Sequence, residues 1–321
     1  DKALRRCVAL EKAKAQTEEE ALADEDKKKV YQYYMNPSKV AMAGKIHPNG
    51  SYLKGIEDFI PSSQYNCDKH HLKVVEDIKE NWVTLSLNSK FHALLATESI
   101  PEAIAYYRLL RKEMPTLKVT ALFDPNIDNT GGQTFKEEGL IEVLEGYKEQ
   151  FGKTYTMSTH AAFKQDVALR LAHKKPYNGK DFTKDKQIDL LIVVNQMLTG
   201  FDSKWINTLY VDKVMEYENI IQAFSRTNRL FGPDKPFGVI RYYRYPNTMK
   251  RNIDKAVAMY SDNKPLKLFA DPLTHNLQQM NSIYTEIEYL FVHAGIKNFE
   301  KLHEMEPARG RYVKLFNLFN K

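Results

Sequence analysis

The sequence predicts an α/β protein, a parallel sheet flanked by helices with helical extensions at both ends. Three observations carry this. First, Ile188–Asp189–Leu190–Leu191–Ile192–Val193–Val194 is an apolar run of the kind a strand covered on both faces requires. Second, the apolar Phe91–Ala96 precedes a helical pattern through Ala103, Tyr106, Tyr107 and Leu110, and then a strand-like Lys118–Phe123. Strand, helix, strand is the alternation of a parallel sheet. Third, Thr208–Val211 reads as another strand, ending in Asp212, with a helix from about Tyr217.

In chain order, residues 1 to about 35 are rich in Ala, Glu and Lys and predict a solvated or inter-domain helix. Asn36–Pro37 ends it. Residues 36–66 read as irregular, with turns at His47–Gly50 and Pro61–Ser63. Asp68 begins a helix through Leu72, Val75 and Ile78. After the third strand comes a long excursion, 126–187, with one helix through Ile141, Leu144, Tyr147 and Phe151 and another through Phe163, Val167 and Leu171. Its Lys174–Lys186 span is basic and turn-rich, either a nucleic-acid backbone contact or an exposed solvated loop. Beyond Phe231–Asp234, a turn, Phe237–Tyr243 reads as a last strand. From Lys250 the pattern is helical through Ile253, Val257 and Tyr260, and later Leu277, Met280, Ile283, Ile287 and Leu290.

At 321 residues the chain has room for about two domains. A net charge of +6 is compatible with a polyanion partner without demanding one. Two cysteines, Cys7 and Cys67, argue for a reducing compartment and against a disulfide framework. No apolar run approaches the roughly 20 residues of a membrane span, and no signal peptide is visible. A cytoplasmic location without membrane partners is expected. The missing initial methionine and the apolar end suggest a piece of a longer polypeptide.

The residues that point to chemistry lie mostly between Ile188 and Arg229. Gln222, Arg226 and Arg229 are spaced by four and three, so on one helix they would share a face. Beside the carboxyl ends of parallel strands, where open α/β sheets bind ligands, two guanidinium forks suit phosphate oxygens. Taken singly, either arginine could equally serve a surface ion pair. Asp202 after Gly200 is compatible with simple turn chemistry. Ser99 and Pro101 fit a helix start whose free N–H groups could hold a phosphate, or a satisfied cap.

Other groupings fail on geometry. Asp24–Glu25–Asp26 lacks the apolar strand an acidic metal motif needs before it. Cys67, His70 and His71 have no second pair at zinc spacing, so no metal site is expected. Gly146 to Thr154 nearly spells a P-loop, but with five residues between its glycines and on a helix, so the phosphate cradle is absent. The sequence holds no Walker A, no convincing Walker B acid and no nuclease constellation.

Read together, VVNQMLTGFDS…TLYVDK…IIQAFSRTNR resembles motifs V and VI of superfamily 2 helicases and translocases, in particular the motor subunit of type I restriction–modification enzymes. Thr97–Pro101 resembles motif IV by position. The resemblance covers most of Lys90 to Tyr243 and is strongest over Leu190–Lys213 and Ile220–Arg229. It implies the second of two RecA-like lobes that hold ATP between them. On that reading 1–70 is a helical or irregular connector, 71–248 the RecA-like lobe and 249–321 the start of a helical domain. Arg226 and Arg229 would approach the γ-phosphate as arginine fingers, with Gln222 orienting the row or touching nucleotide. Gly200 and Asp202 would lie near the nucleotide sugar or lobe interface. Thr97, Ser99 and Thr199 would grip the DNA backbone.

The implied cofactor is ATP with magnesium, shared with a first lobe outside this chain, so the chain alone should be catalytically silent. The implied partners are double-stranded DNA, the first lobe and nuclease domain of the same subunit, and separate methylation and specificity subunits. Two alternatives stand beside this. One is a lobe of another superfamily 2 DNA or RNA helicase; the other is a non-enzymatic docking module for nucleic acid or protein.

Overall fold

A computed structural model of the chain describes residues 1–47, 50–126, 132–179, 182–194, 203–260, 273–302 and 304–319. Contacts divide the chain into two compact units, Asp1–Pro265 and Leu266–Lys321. In the second, α10 (Leu273–His293) and α11 (Glu306–Phe319) enclose Ile287, Phe291, Ile296 and Leu315.

The first unit opens with three helices where one was expected: α1 (Lys2–Lys12), α2 (Glu18–Ala23) and α3 (Glu25–Met35). Capping side chains break the run. Thr17 accepts from the Glu20 N–H at 3.2 Å, and Asp24 accepts from the N–H groups of Asp26 and Lys27 at 3.0 and 2.9 Å. The acidic triplet thus begins a helix. Small side chains at Ala9, Ala13 and Ala21 let the three helices close around Tyr31.

Within the expected irregular stretch lies a short antiparallel pair, β1 (Lys45–Ile46) and β2 (Tyr52–Leu53). Glu57 is fully buried and accepts from the N–H groups of Asn247 and Thr248 at 2.9 and 2.7 Å. It thereby caps α9 (Pro246–Tyr260), roping the connector to an element far along the chain. The next helix, α4 (Asp68–Leu85), starts where expected and buries His71, Val74, Val75, Ile78 and Trp82. Leu72, expected on its apolar face, is exposed.

The core is a five-stranded parallel sheet of β3 (His92–Thr97), β4 (Val119–Leu122), β5 (Leu190–Val193), β6 (Ile206–Asp212) and β7 (Val239–Tyr242), ordered β4-β5-β3-β6-β7. Every residue of β3, β4 and β5 is buried, which is why those segments read as apolar runs rather than alternating ones. The flanking helices are α5 (Ile100–Glu113), α6 (Gln133–Phe151), α7 (His160–Leu171) and α8 (Tyr217–Phe224), with α4 and α9. This is the RecA-like α/β class the sequence predicts.

The excursion before β5 contains both expected helices, although on α6 Leu140 and Val143 are buried while Ile141 is exposed. Asp166 pins the excursion: it accepts from the Tyr147 hydroxyl and the Lys153 ammonium, both at 2.6 Å, and from Tyr177. Arg170 lies over the rings of Phe151 and Tyr177, 4.2 and 4.1 Å from their centroids. The near P-loop is helix from Gly146 to Phe151, as expected, and its Gly152–Thr154 end lies beyond α6. A Cβ at Gly146 would collide with the Tyr107 hydroxyl and the Arg111 guanidinium, and Gly152 is the left-handed C-cap of α6 at φ 69°.

From β3 the chain runs through α5 to β4 at one end of the sheet, and from β6 it runs through α8 to β7 at the other. Its paths therefore diverge at the carboxyl ends of these neighbouring strands, where Thr97 faces Asp212 in register. Among the described residues no helix is long and apolar enough to cross a membrane.

Candidate functional site

At the carboxyl end of β3, Thr97 and Ser99 take different roles. Thr97 is fully buried, its hydroxyl donating to the carbonyls of Ser99 and Val193 at 3.3 and 3.5 Å. It braces the strand end from within instead of offering a hydroxyl to a ligand. Ser99 is half-buried, extended at φ −143°, and accepts from the Glu102 N–H at 3.4 Å as the cap of α5. Pro101 stands in the first turn, where its missing N–H costs nothing.

Beneath this helix start lies a buried ionic cluster. Asp212 accepts from His70 Nε2 at 2.7 Å, the Tyr106 hydroxyl at 2.7 Å, and Arg244 Nε and Nη2, each at 3.0 Å. The same Arg244 Nη2 donates to Glu102 Oε1 at 2.9 Å, and Nη1 donates to Asn66 Oδ1 at 2.9 Å. Burial pushes the Asp212 carboxyl up, but the donors from His70, Arg244 and Tyr106 outweigh it and hold it at about 2. Glu102 goes the other way, raised by burial against the pull of Arg244. Its second oxygen accepts from the Glu98 N–H at 3.2 Å, so the cluster fixes the loop that carries Ser99. Beside it, Lys213 Nζ donates to the Val194 carbonyl at 3.5 Å, and burial lowers its ammonium.

The sequence marks Asp212 only as the end of a strand, points to no role for Glu102 or Arg244, and offers His70 no partners at metal-site spacing. The partners of Asp212 come from α4, α5 and the segment after β7, and no local pattern links them. One signal was available, an acid closing an otherwise apolar strand. Cys67 is the residue before α4, His70 bonds Asp212, and its ring meets that of His71 edge-on at 6.1 Å while His71 packs on the Tyr106 ring at 4.7 Å. Among the described residues no three acids, histidines or cysteines are grouped to hold a metal.

The arginine row departs from expectation in two ways. First, α8 ends at Phe224, so Gln222, Arg226 and Arg229 do not share one helix face. Side chains take over the last carbonyls: Ser225 Oγ and Arg226 Nε donate to the Gln222 carbonyl at 2.7 and 3.0 Å, and Thr227 Oγ1 to that of Phe224 at 3.1 Å. Gln222 and Arg226 are half-buried, and Arg229 is exposed. Second, the end of the row lies at the amino ends of the strands. Lys235 Nζ joins the carbonyls of Arg229 and Ile206, at 2.6 and 2.7 Å, and Ile206 opens β6. A helix that follows a parallel strand runs back along it, so its carboxyl end reaches the opposite edge of the sheet. Thr199, Gly200 and Asp202 lie outside the described residues.

Arg226 also donates from Nη2 to Ser225 Oγ at 3.0 Å. Two guanidinium forks three residues apart, Arg229 being exposed, suit the oxygens of a phosphate.

Residues 89–245 match the family described as type I restriction enzyme subunit R domain 3. Over these residues, the chain belongs to the type I restriction enzyme R-subunit family. The matched span runs from just before β3 to just past β7, and so takes in the whole parallel sheet. A type I restriction enzyme endonuclease subunit from Staphylococcus aureus is 35% identical over 203 residues, 61% of this chain and 21% of that protein. One from Staphylococcus saprophyticus is 36% identical over 201 residues, 60% of this chain and 20% of that protein. A putative endonuclease subunit N-terminal part from Mycoplasma pneumoniae is 50% identical over 70 residues, 22% of this chain and 18% of that protein. The chain spans about a fifth of the length of the curated relatives it matches first. In this R-subunit domain, Glu102, Asp212 and Arg244 fall inside the family span and His70 outside it.

Proposed function

We propose that this R-subunit segment is the second motor lobe of an ATP-dependent DNA translocase whose intact subunit also cleaves DNA. The observation that carries the reading is the family match across the parallel sheet, on a chain whose α8 leads into Arg226 and Arg229. ATP with magnesium, shared with a first lobe, supplies the phosphoryl transfer that drives lobe closure and opening. Arg226 and Arg229 reach across the lobe interface and stabilise the charge that grows on the transferring phosphoryl oxygens. Gln222 keeps the row oriented, and Gly200 and Asp202 serve the nucleotide sugar or the lobe interface. Ser99, at the carboxyl edge of the sheet, and Thr199 hold DNA phosphates, with Thr97 supporting Ser99 from below. Contacts of this kind carry no sequence information, as suits travel along any duplex, so a separate specificity subunit reads the site, with methylation subunits alongside.

The test is DNA-stimulated ATP hydrolysis by the full-length subunit, assembled with its partner subunits, and by this chain alone. The intact subunit is expected to hydrolyse ATP with duplex DNA and to lose about 100-fold or more of kcat on Arg226→Ala or Arg229→Ala. This chain alone is expected to be silent. Full activity in both variants would overturn the arginine assignment. Hydrolysis by the isolated chain would overturn the half-site reading.

A further inference from the structure

Lys235 is a lysine with 1% of its surface exposed, and its partners are main-chain oxygens. Its Nζ donates to the carbonyls of Arg229 at 2.6 Å, Ile206 at 2.7 Å and Lys204 at 3.2 Å. An ammonium has three N–H donors and no acceptor, so three convergent carbonyls use it completely. A planar guanidinium could not meet the same three oxygens. The loop it closes is fastened elsewhere too. Phe231 sits against Trp205 and Phe91, with ring centroids 4.6 and 5.7 Å away. Asp234 pairs with Lys90, and Thr227 at the loop's start lies directly under Gly238 at its end.

We propose that Lys235 is the positioning residue of the arginine row, fastening the Arg229 main chain to the amino end of β6 and so setting where the Arg229 guanidinium reaches. This rests on the assignment of Arg229 to the nucleotide phosphates. Arg229 follows the last turn of α8, with no helix of its own to hold its Cα. Misplacing a group by an ångström can cost a large factor in rate. Lys235 ties the Arg229 carbonyl, beside that Cα, to the rigid sheet. It touches no substrate in this role and acts through Arg229 alone.

Burial pushes the Lys235 ammonium down to about 8. The charged side chains on the segments it joins are Lys204, Arg229 and Asp234, the last paired with Lys90. As pH rises through about 8, the amine loses its third donor and one carbonyl of the three is released.

The experiment uses the full-length subunit with its partner subunits, as wild type, Arg229→Ala, Lys235→Met and the double variant. Lys235→Met is expected to lower kcat for DNA-stimulated hydrolysis by roughly 10- to 100-fold, to leave the KM for duplex DNA unchanged, and to add no further loss to Arg229→Ala. An unchanged kcat, or losses that multiply in the double variant, would overturn the proposal. If Arg229→Ala itself leaves hydrolysis intact, the arginine assignment falls and this inference falls with it.

Should Lys235→Met not fold, the wild type answers instead. Its rate relative to Arg229→Ala, followed from about pH 7 to about pH 9.5, is expected to shrink above about pH 8 as the tie loosens. A ratio constant across that range would refute the positioning role. Taking the ratio removes every alkaline effect the two proteins share.

Discussion

Asp189 and Asp212 are both carboxylates buried at strand ends, and their surroundings drive them apart. Asp189, just ahead of β5, accepts a main-chain hydrogen bond from Lys118 at 2.9 Å. Burial is the larger effect and pushes its carboxyl up to about 6, with that N–H and the lysines Lys118 and Lys184 opposing. A carboxyl raised on folding stabilises the protein fully below about pH 4, where both states are protonated, and loses that contribution as pH climbs through 6. Asp189→Asn keeps an acceptor for Lys118 without the charge. It is expected to raise unfolding stability by on the order of 2 kcal/mol at pH 7 and by nothing at pH 4. Equal urea midpoints for the two proteins at pH 7 would refute this. Asp212 shows the opposite sign, since its stabilisation is present above about pH 4 and lost as pH falls towards 2.

Among the elements, the strands were readable and the end of α8 was not. Burial on both faces leaves a direct trace in composition, which is why β3, β4 and β5 stand out as apolar runs. Where a helix stops depends on which side chains claim its last carbonyls, and Ser225, Arg226 and Thr227 could equally have continued a helix. The same limit hid the three-helix break at Thr17 and Asp24, which a count of good helix formers ignores. Networks were less legible still: Asp212 meets Arg244 and Tyr106 only because the sheet order brings them together. The candidate site was thus half readable. The identity and spacing of Gln222, Arg226 and Arg229 were plain, but their place at the amino edge was not. Gly238 tests the packing that holds this segment. A Cβ there would strike the Thr227 carbonyl, which is backbone and cannot swing aside. Gly238→Ala should therefore destabilise the protein by about 1–3 kcal/mol, read as a lowered urea midpoint. A wild-type midpoint would show that the loop gives way instead.

Taken as a whole, the molecule separates two edges of one sheet. Ser99 stands at the carboxyl edge above the Asp212–Arg244 cluster, and the Arg229 main chain is tied to the amino edge by Lys235. If the proposed roles hold, grip on DNA and charge stabilisation at phosphate can be damaged independently. Ser99→Ala should then raise the KM for duplex DNA several-fold while leaving kcat at saturating DNA near wild type, apart from about 1 kcal/mol of lost helix capping. A fall in kcat with unchanged KM would place Ser99 with the hydrolytic residues instead. The strand order β4-β5-β3-β6-β7 has a further consequence, for the newborn chain. Although β3 and β4 follow each other in sequence, neither can pair with the other, because the place between them belongs to β5. At about 5–20 residues per second the ribosome needs roughly 3 to 14 seconds to reach β5 after finishing β4. Throughout that interval two bare apolar strands and the helix joining them wait for a partner not yet made. The emerging lobe is therefore most open to aggregation and to chaperone capture between Leu122 and Leu190, and it closes its sheet only by inserting a late strand into a gap held open for it.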